Sequence, residues 1–317
     1  MGVNFDRPSK WKEDIAQSVD LYNQWFLNFA PQTYRDERLR ATDFVQAMLI
    51  RTNLLRKLSP NDLKDNPSIL ASLRMSTAPP IARDRLVGLA SVSKSLVNCM
   101  EKEGRLPPQM TKEELDINLE KIMQMISRLI DVDIFPWINE NREPNEQEVY
   151  RAATIVADRL CGANADPIVR NAQESRQLAK IKAWLESRGY RDVSKDIRAN
   201  DMEPGTFAFR LNVQGLKENN ATVNIPVDAV IMPMTANQGD LPLMVEAKSA
   251  GDFTNTNKRR KEEATKVKQL RRSFGNQVRY ILFLCGYFDS GYLGYEAAES
   301  IDWVWEHRID ELKEFGL

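Results

Sequence analysis

Three charged residues, Asp228, Glu246 and Lys248, fall in segments whose residue pattern predicts two successive β-strands. In the run 223–231 every second residue is apolar, which places Asp228 on the opposite face of its strand. In the run 243–247 the apolar residues share one face, so Glu246 and Lys248 both point to the other. If the strands are neighbours in a sheet, the three side chains converge on one side of it.

Two carboxylates beside an amine suit Mg²⁺-assisted phosphodiester hydrolysis. The carboxylates can hold the hard cation, and the lysine can stabilise the attacking hydroxide and the charge that develops on phosphorus. The alternative is that Asp228 only ends a strand and that Glu246 and Lys248 form an exposed pair. The other Glu-x-Lys triplet, at 311–313, lies in a predicted C-terminal helix, so only the first follows a strand aspartate.

A further carboxylate, Glu174, lies in the helix predicted just before these strands. It shares an apolar stripe with Leu178, Ile181 and Leu185, which predicts that it faces the sheet. A buried carboxylate is costly without a partner. That partner is either a metal or lysine at the active centre, or a structural ion pair with Arg170 or another helix.

A basic helix is predicted after the second strand, from about residue 257 to 274. The segment 248–272 contains nine basic and three acidic residues, a charge of +6 in a chain whose net charge is only -1. One face of this helix carries Lys258, Lys261, Lys268 and Arg272, together with Thr265. This stripe can follow a phosphate backbone without reading sequence, or it is only a solvated surface.

Other elements must position these residues, and their order indicates the fold class. Residues 1–160 read as helices separated by proline-containing breaks, and Thr111 with Glu114 predicts the start of one of them. From 161 to 317 the predicted order is α-β-β-β-α-β, with strands at 206–213, 222–232, 241–248 and 278–285 and the first helix at about 166–188. We therefore predict an α/β fold with a mixed sheet, preceded by an all-α domain.

Composition and motifs exclude several classes of protein. The 317 residues favour two domains, and with 42% hydrophobic and 28% charged residues they are typical of a soluble globular protein. The longest apolar run, 280–288, is far too short for a membrane span, and no signal pattern opens the chain, so we expect a cytoplasmic protein without membrane contact. A single histidine, His307, excludes HExxH zinc hydrolases, and three scattered cysteines give no disulfide framework.

Asp228, a step of 18 residues and then Glu246-Ala247-Lys248, within an αβββαβ order, resembles the PD-(D/E)XK nuclease superfamily. Val227 stands where the motif has proline. The segments Thr77-Ala78-Pro79-Pro80-Ile81-Ala82-Arg83-Asp84-Arg85-Leu86 and Ala165-Asp166-Pro167-Ile168-Val169-Arg170-Asn171-Ala172-Gln173-Glu174 extend the resemblance to XamI-like type II restriction endonucleases.

This resemblance implies a Mg²⁺-dependent homodimer that cuts double-stranded DNA at a short palindrome and leaves 5′-phosphate and 3′-hydroxyl ends. It implies that Asp228 and Glu246 are metal ligands, that Lys248 orients water or stabilises charge, and that Glu174 is a further catalytic carboxylate. The helical domain, 1–160, would serve DNA recognition or dimerisation, and 161–317 would be the nuclease domain. The alternatives are a repair, recombination or structure-specific nuclease on the same core, and a DNA-binding protein without catalysis.

Overall fold

The computed structural model describes residues 2–194, 197, 199–237, 239–254 and 256–317, with only the backbone for residues 200 and 256–260. The chain forms two compact units. One contains residues 30–169, and the other combines residues 1–29 with residues 170–317. No helix among the described residues is long and apolar enough to cross a membrane.

The first part of the chain is built from helices. They are α1 (Pro8–Arg51), α2 (Pro60–Asp65), α3 (Leu70–Met75), α4 (Arg83–Ala90), α5 (Lys94–Glu103), α6 (Lys112–Leu129), α7 (Pro136–Glu140) and α8 (Glu146–Glu186). The Thr111 hydroxyl accepts the N–H of Glu114 and so starts α6 where the sequence predicts. The unit 30–169 encloses one apolar core, in which Phe135 and Trp137 are fully buried.

Helix α8 is longer than the sequence predicts. The prediction of a helix beginning near Asp166 is wrong, because one continuous helix passes through Gly162 and Pro167. A proline inside a helix removes a backbone hydrogen bond and disfavours continuation. The apolar side chains before and after it are buried, each within its own unit, as with Val156 and Ile181, and this burial offsets the local cost of the proline.

The second unit contains a six-stranded mixed sheet in the order β1-β2-β3-β4-β5-β6. Its strands are β1 (Arg191–Asp192), β2 (Thr206–Leu216), β3 (Thr222–Met232), β4 (Leu243–Ala250), β5 (Arg279–Gly286) and β6 (Asp302–Trp305), and its later helices are α9 (Thr256–Phe274) and α10 (Ser290–Ala298). Strand β3 is antiparallel to β2 and β4, and the other neighbours are parallel. The predicted mixed α/β character is thereby confirmed.

The two faces of the sheet bury separate apolar clusters. Helix α8 contributes Leu178 and Ile181 to one cluster, which we call the α8 face. Helix α9 contributes Val267 and Leu270 to the other, which we call the α9 face. Glu246 and Lys248 alternate with the apolar residues of β4 that belong to the α8 face, so they point towards α9.

The strand alternation changes phase at the middle of β2 and β3. Val227 packs in the α9 face, whereas Ala229 packs in the α8 face. The prediction that every second residue of 223–231 shares one face is therefore wrong. On β2 the same change separates Phe209 from Leu211, and Arg210 between them has a φ of 52°. Asp228 lies at the phase change and not on a regular strand face.

The first residues of the chain belong to the sheet unit, whereas the sequence pattern groups them with the helical domain 1–160. The carboxylate of Asp302 in β6 accepts the backbone N–H groups of Val3, Asn4 and Phe5. The Trp11 ring packs edge-on against Trp303, with 5.5 Å between the ring centroids. These contacts join residues about 300 positions apart in the sequence, which local patterns do not reveal.

Candidate active site

The pairing of β3 with β4 is short, and the candidate site lies where it stops. Only three residue pairs are formed, from Ile231 opposite Leu243 to Ala229 opposite Val245. Beyond them the Oδ2 of Asp228 accepts the N–H of Ala247 at 2.8 Å. A carboxylate thus takes the place of a strand carbonyl, and this fixes Asp228 beside Glu246.

Glu246 is 4% exposed, and its two oxygens have different surroundings. Oε1 lies 3.0 Å from Nζ of Lys248 and 2.6 Å from Nζ of Lys266. Oε2 is buried and has no hydrogen-bond partner among the described residues. One carboxylate oxygen is thus held by two amines, and the other is left for a further positive group.

The Asp228 carboxyl has a pKa of about 6, raised from its ordinary value of 3.8. Burial is the main cause, and the negative charge of Glu246 adds to it, while the N–H of Ala247 and the charge of Lys248 act in the opposite direction. The Glu246 carboxylate is therefore close enough to disfavour the ionised form of Asp228.

Lys248 lies between two glutamates. Its Nζ is 3.0 Å from Glu246 Oε1 and 2.9 Å from Oε1 of Glu263, a fully buried residue of α9. Burial acts to lower the pKa of Lys248, but the two glutamates raise it above its ordinary value. The amine of Lys248 is therefore protonated, and its Nζ is held in one position between the two glutamates.

Glu263 and Lys266 belong to this site, although the sequence pattern did not single them out. Glu263 shares the buried face of α9 with Val267 and Leu270, at steps of four and three. A carboxylate on an apolar stripe was the signal that singled out Glu174, and it would have found Glu263 as well. Lys266, whose Nζ also lies 3.2 Å from the carbonyl oxygen of Pro226, gives no comparable signal in a helix rich in basic residues.

Glu174 is less buried than predicted, with 39% of its side chain exposed. Leu178 and Ile181 of the same stripe are buried, but Glu174 lies nearer the middle of α8, beyond that buried stretch. Its Oε1 is 3.0 Å from Nη2 and 3.1 Å from Nε of Arg210 on β2, so its partner is neither Arg170 nor another helix. Its charge also contributes to the raised pKa of Asp228, so it lies near the other carboxylates.

The basic stripe of α9 is only partly free of acidic partners. Lys261 is exposed, Lys268 lies 3.6 Å from Glu299, and Arg272 lies 3.2 Å from Glu218. The side chain of Lys258 is outside the part of the chain that the structure describes. Lys268 and Arg272 also line a groove of about 670 Å³ next to the turn between β2 and β3.

The carboxylates at the end of the β3–β4 pairing fit a hard divalent cation. Asp228 and Glu246 offer oxygen donors, and the partnerless Glu246 Oε2 is a buried polar atom that a cation would satisfy. Within the described ranges no group of three or more His, Cys, Asp or Glu residues is placed to hold a metal. Mg²⁺ does not need one, because it usually binds one or two carboxylates with water and substrate phosphate.

The amino-acid sequence is similar to restriction enzymes. It matches the XamI restriction endonuclease family over residues 53–305. It is 56% identical over 318 residues to type II restriction enzyme SalI of Streptomyces albus G, covering 99% of each chain. It is 26% identical over 175 residues to type II restriction enzyme XamI of Xanthomonas campestris pv. amaranthicola, covering 50% of this chain and 60% of that one.

Among solved structures, protein VC1899 from Vibrio cholerae matches 82% of this chain and 55% of its own, with 14% identity and a TM-score of 0.27. A similarity at that score is too low to indicate a shared fold. The sequence matches are far stronger, since the family match spans most of the chain and the match to SalI spans nearly all of it. The chain belongs to the XamI restriction endonuclease family and is a type II restriction endonuclease, a site-specific deoxyribonuclease.

Proposed function

We propose that this enzyme hydrolyses double-stranded DNA at a centre formed by Asp228, Glu246 and Lys248, with Mg²⁺ as cofactor. The observation that carries the proposal is the pair of carboxylates at the end of the β3–β4 pairing. Asp228 is half-buried, and Glu246 is buried with one oxygen that has no partner among the described residues, beside a fixed lysine. The order α8, β2, β3, β4, α9, β5 supports assignment of this unit to the PD-(D/E)XK core.

Asp228 and Glu246 would be the metal ligands, and enzymes of this class generally need a divalent metal. When bound, the cation supplies positive charge that favours deprotonation of a nearby water and offsets charge on the phosphate. Glu246 would present Oε2 to it, because two lysines hold its other oxygen. Glu174 is proposed as a further carboxylate that acts beside Asp228.

Lys248 would stabilise the negative charge that builds up on the phosphorus oxygens during attack. Its amine is held by Glu246 and Glu263, so it needs little reorganisation when that charge appears. In the reaction, a water oxygen forms the new bond to phosphorus and the bond from phosphorus to the 3′ oxygen breaks. The proton of water ends on the 3′ oxygen, which gives 5′-phosphate and 3′-hydroxyl ends.

We propose that the enzyme acts as a homodimer on a palindromic site. A two-fold dimer presents one centre to each strand, which matches the symmetry of such a sequence. The helical part of the chain, predicted at 1–160, would serve recognition or dimerisation, and 161–317 would carry the catalysis. Lys261, Lys268 and Arg272, with Lys258, would contact phosphates along α9.

The test is cleavage of plasmid DNA by the variants Asp228→Ala and Glu246→Ala in Mg²⁺. We expect neither to cut and both to bind DNA, because each removes a metal ligand and leaves the phosphate contacts in place. The matched control is Glu203→Ala, which removes an exposed carboxylate next to β2 that pairs with Arg191. Near-normal cutting by either active-site variant would refute the proposed centre, and Ca²⁺ is expected to support binding without cleavage.

A further inference from the structure

Arg210 has a backbone conformation that is unusual for its residue type. Its φ is 52°, in the left-handed region, where a side chain with a Cβ is strained. The pairs on either side, Phe209 with Ala229 and Leu211 with Val227, keep one register, so no extra residue causes the distortion. The residue of β3 between those two pairs is Asp228.

The ion pair of Arg210 does not account for this strain. Its guanidinium pairs with Glu174, but 62% of the Arg210 side chain and 39% of the Glu174 side chain are exposed. An ion pair this exposed contributes little to stability. Residues held in costly backbone regions cluster at ligand-binding and catalytic sites, where the strain serves to aim a side chain.

The chemistry of this side chain fits a phosphate. Arginine presents planar N–H donors that match phosphate oxygens in pairs and it keeps its charge at every physiological pH. Arg210 lies on β2 opposite Asp228 of β3, and its guanidinium is 3.0 Å from Glu174. A DNA phosphate beside Asp228 would therefore come within reach of the guanidinium that now pairs with Glu174.

We propose that Arg210 binds a DNA backbone phosphate at the active site, and that this phosphate displaces Glu174 from the guanidinium. The inference rests on the proposed function of the Asp228 and Glu246 centre. Glu174 then has two effects. It holds Arg210 in place in the free enzyme, and it competes with DNA for the same donors.

The informative variant is Arg210→Gly, because glycine accepts a positive φ without strain while it removes the side chain. We expect the melting temperature to stay equal or rise, and metal-free binding to weaken for all DNA sequences. The slope of log affinity against log salt should shrink by about 0.9, the value for one phosphate that is no longer neutralised. The cleavage rate should fall by about a hundredfold, the scale for removal of one transition-state donor.

The variant Glu174→Gln provides a second test, in which the expected change in DNA affinity has the opposite sign. Without metal, we expect this variant to bind DNA more tightly than the unchanged enzyme, because the competitor of the phosphate is gone. Arg191→Ala is the matched control, since it removes an exposed arginine of β1 that pairs with Glu203, a residue just before β2. It should leave the salt dependence and cleavage unchanged.

Two results would overturn the inference. A lower melting temperature with an unchanged salt slope in Arg210→Gly would make the arginine a purely structural residue. Weaker or unchanged metal-free binding in Glu174→Gln would show that Glu174 does not compete with a DNA phosphate for Arg210. Both measurements are of binding without metal, so they are separate from the test of the proposed centre, which is refuted if either Asp228→Ala or Glu246→Ala still cuts DNA.

Discussion

At the scale of single residues, the two oxygens of the buried Glu246 carboxylate have different surroundings. The Nζ atoms of Lys248 and Lys266 both approach Oε1, so the charge of the group is stabilised from one side. Oε2 stays without a partner in the described part of the chain. One oxygen thus has two cationic partners, and the other is free for the metal that we propose.

The raised pKa of Asp228 predicts a stability change in the metal-free enzyme. Because its folded pKa of about 6 exceeds the ordinary value of 3.8, the folded state holds the proton more tightly. This stabilisation is complete below about pH 4 and is lost as the pH rises through about 6. Asp228→Asn removes the charge and can still accept the N–H of Ala247. Thermal melts with a chelator at about pH 7.5 should show stabilisation on the order of 1–3 kcal/mol.

The same melts carried out from about pH 4 to about pH 8 provide the control for that prediction. The decline in stability between about pH 4 and 6 should be smaller in Asp228→Asn than in the unchanged enzyme. A variant that is less stable at neutral pH, with an unaltered decline, would contradict the raised pKa of Asp228.

Glu263 offers a test of how Lys248 is positioned. Glu263→Gln keeps the shape of the side chain but removes the charge that lies 2.9 Å from the lysine Nζ. We expect kcat to fall by about tenfold to a hundredfold, as for a displaced catalytic group, with KM little changed. Glu262→Gln alters the exposed neighbour on α9 and should cut normally. Recovery of full kcat at high Mg²⁺ would instead assign Glu263 to metal affinity.

At the scale of helices and strands, local sequence patterns predict where most elements lie. They do not predict the features that depend on tertiary packing. The bounds of β3 were predicted as 222–232 and observed as such, because strand alternation and turn residues are local signals. The continuity of α8 through Pro167 and the phase change at Asp228 depend on what packs against them. The predicted basic face of α9 does not include Glu263, because this carboxylate lies on the buried apolar face of the helix.

The basic stripe of α9 can be tested with the double variant Lys261→Ala and Lys268→Ala. Lys261 is exposed, and the distance from Lys268 to Glu299 is long at 3.6 Å, so both amines are available to phosphates. Affinity should fall about equally for cognate and unrelated DNA, and the salt slope should shrink by about 0.9 for each lysine that binds a phosphate. The measurement is a salt titration of binding in Ca²⁺.

Lys313→Ala serves as the control for the stripe, because Lys313 is exposed and pairs with Asp310 in the last turn of the chain. An unchanged salt slope in the double variant would show that the stripe is only a solvated surface. Weakening confined to the cognate sequence would show instead that these lysines read bases.

At the scale of the whole molecule, the sheet unit is assembled from two distant parts of the sequence. Residues 1–29 belong to it, although local patterns assign them to the helical part of the chain. Helical periodicity is the same on either side of Phe29, so the sequence contains no signal for a change of unit there. Only contacts such as those of Asp302 with Val3 and Asn4 define the division.

Asp302→Ala tests the contribution of this connection. It would leave the backbone N–H groups of Val3 and Asn4, both buried residues, without their acceptor. Each buried donor without a partner costs on the order of 1–3 kcal/mol. We expect a clear fall in melting temperature and faster proteolysis near the N-terminus. The control Asp133→Ala removes an exposed carboxylate, and equal stability of the two variants would contradict this account.

The contact between residues 3–5 and Asp302 also determines when, during synthesis of the chain, the sheet unit can be completed. The two partners are 299 positions apart, so at about 5–20 residues per second the ribosome makes the second roughly 15–60 s after the first. Residues 30–169 have a contiguous core and can fold during that interval. The sheet that holds Asp228 and Glu246 gains its last strand and its N-terminal contacts only after residue 305 has been made. The proposed centre at Asp228 and Glu246 therefore lies in a sheet that is complete only after the last of its six strands has been synthesised.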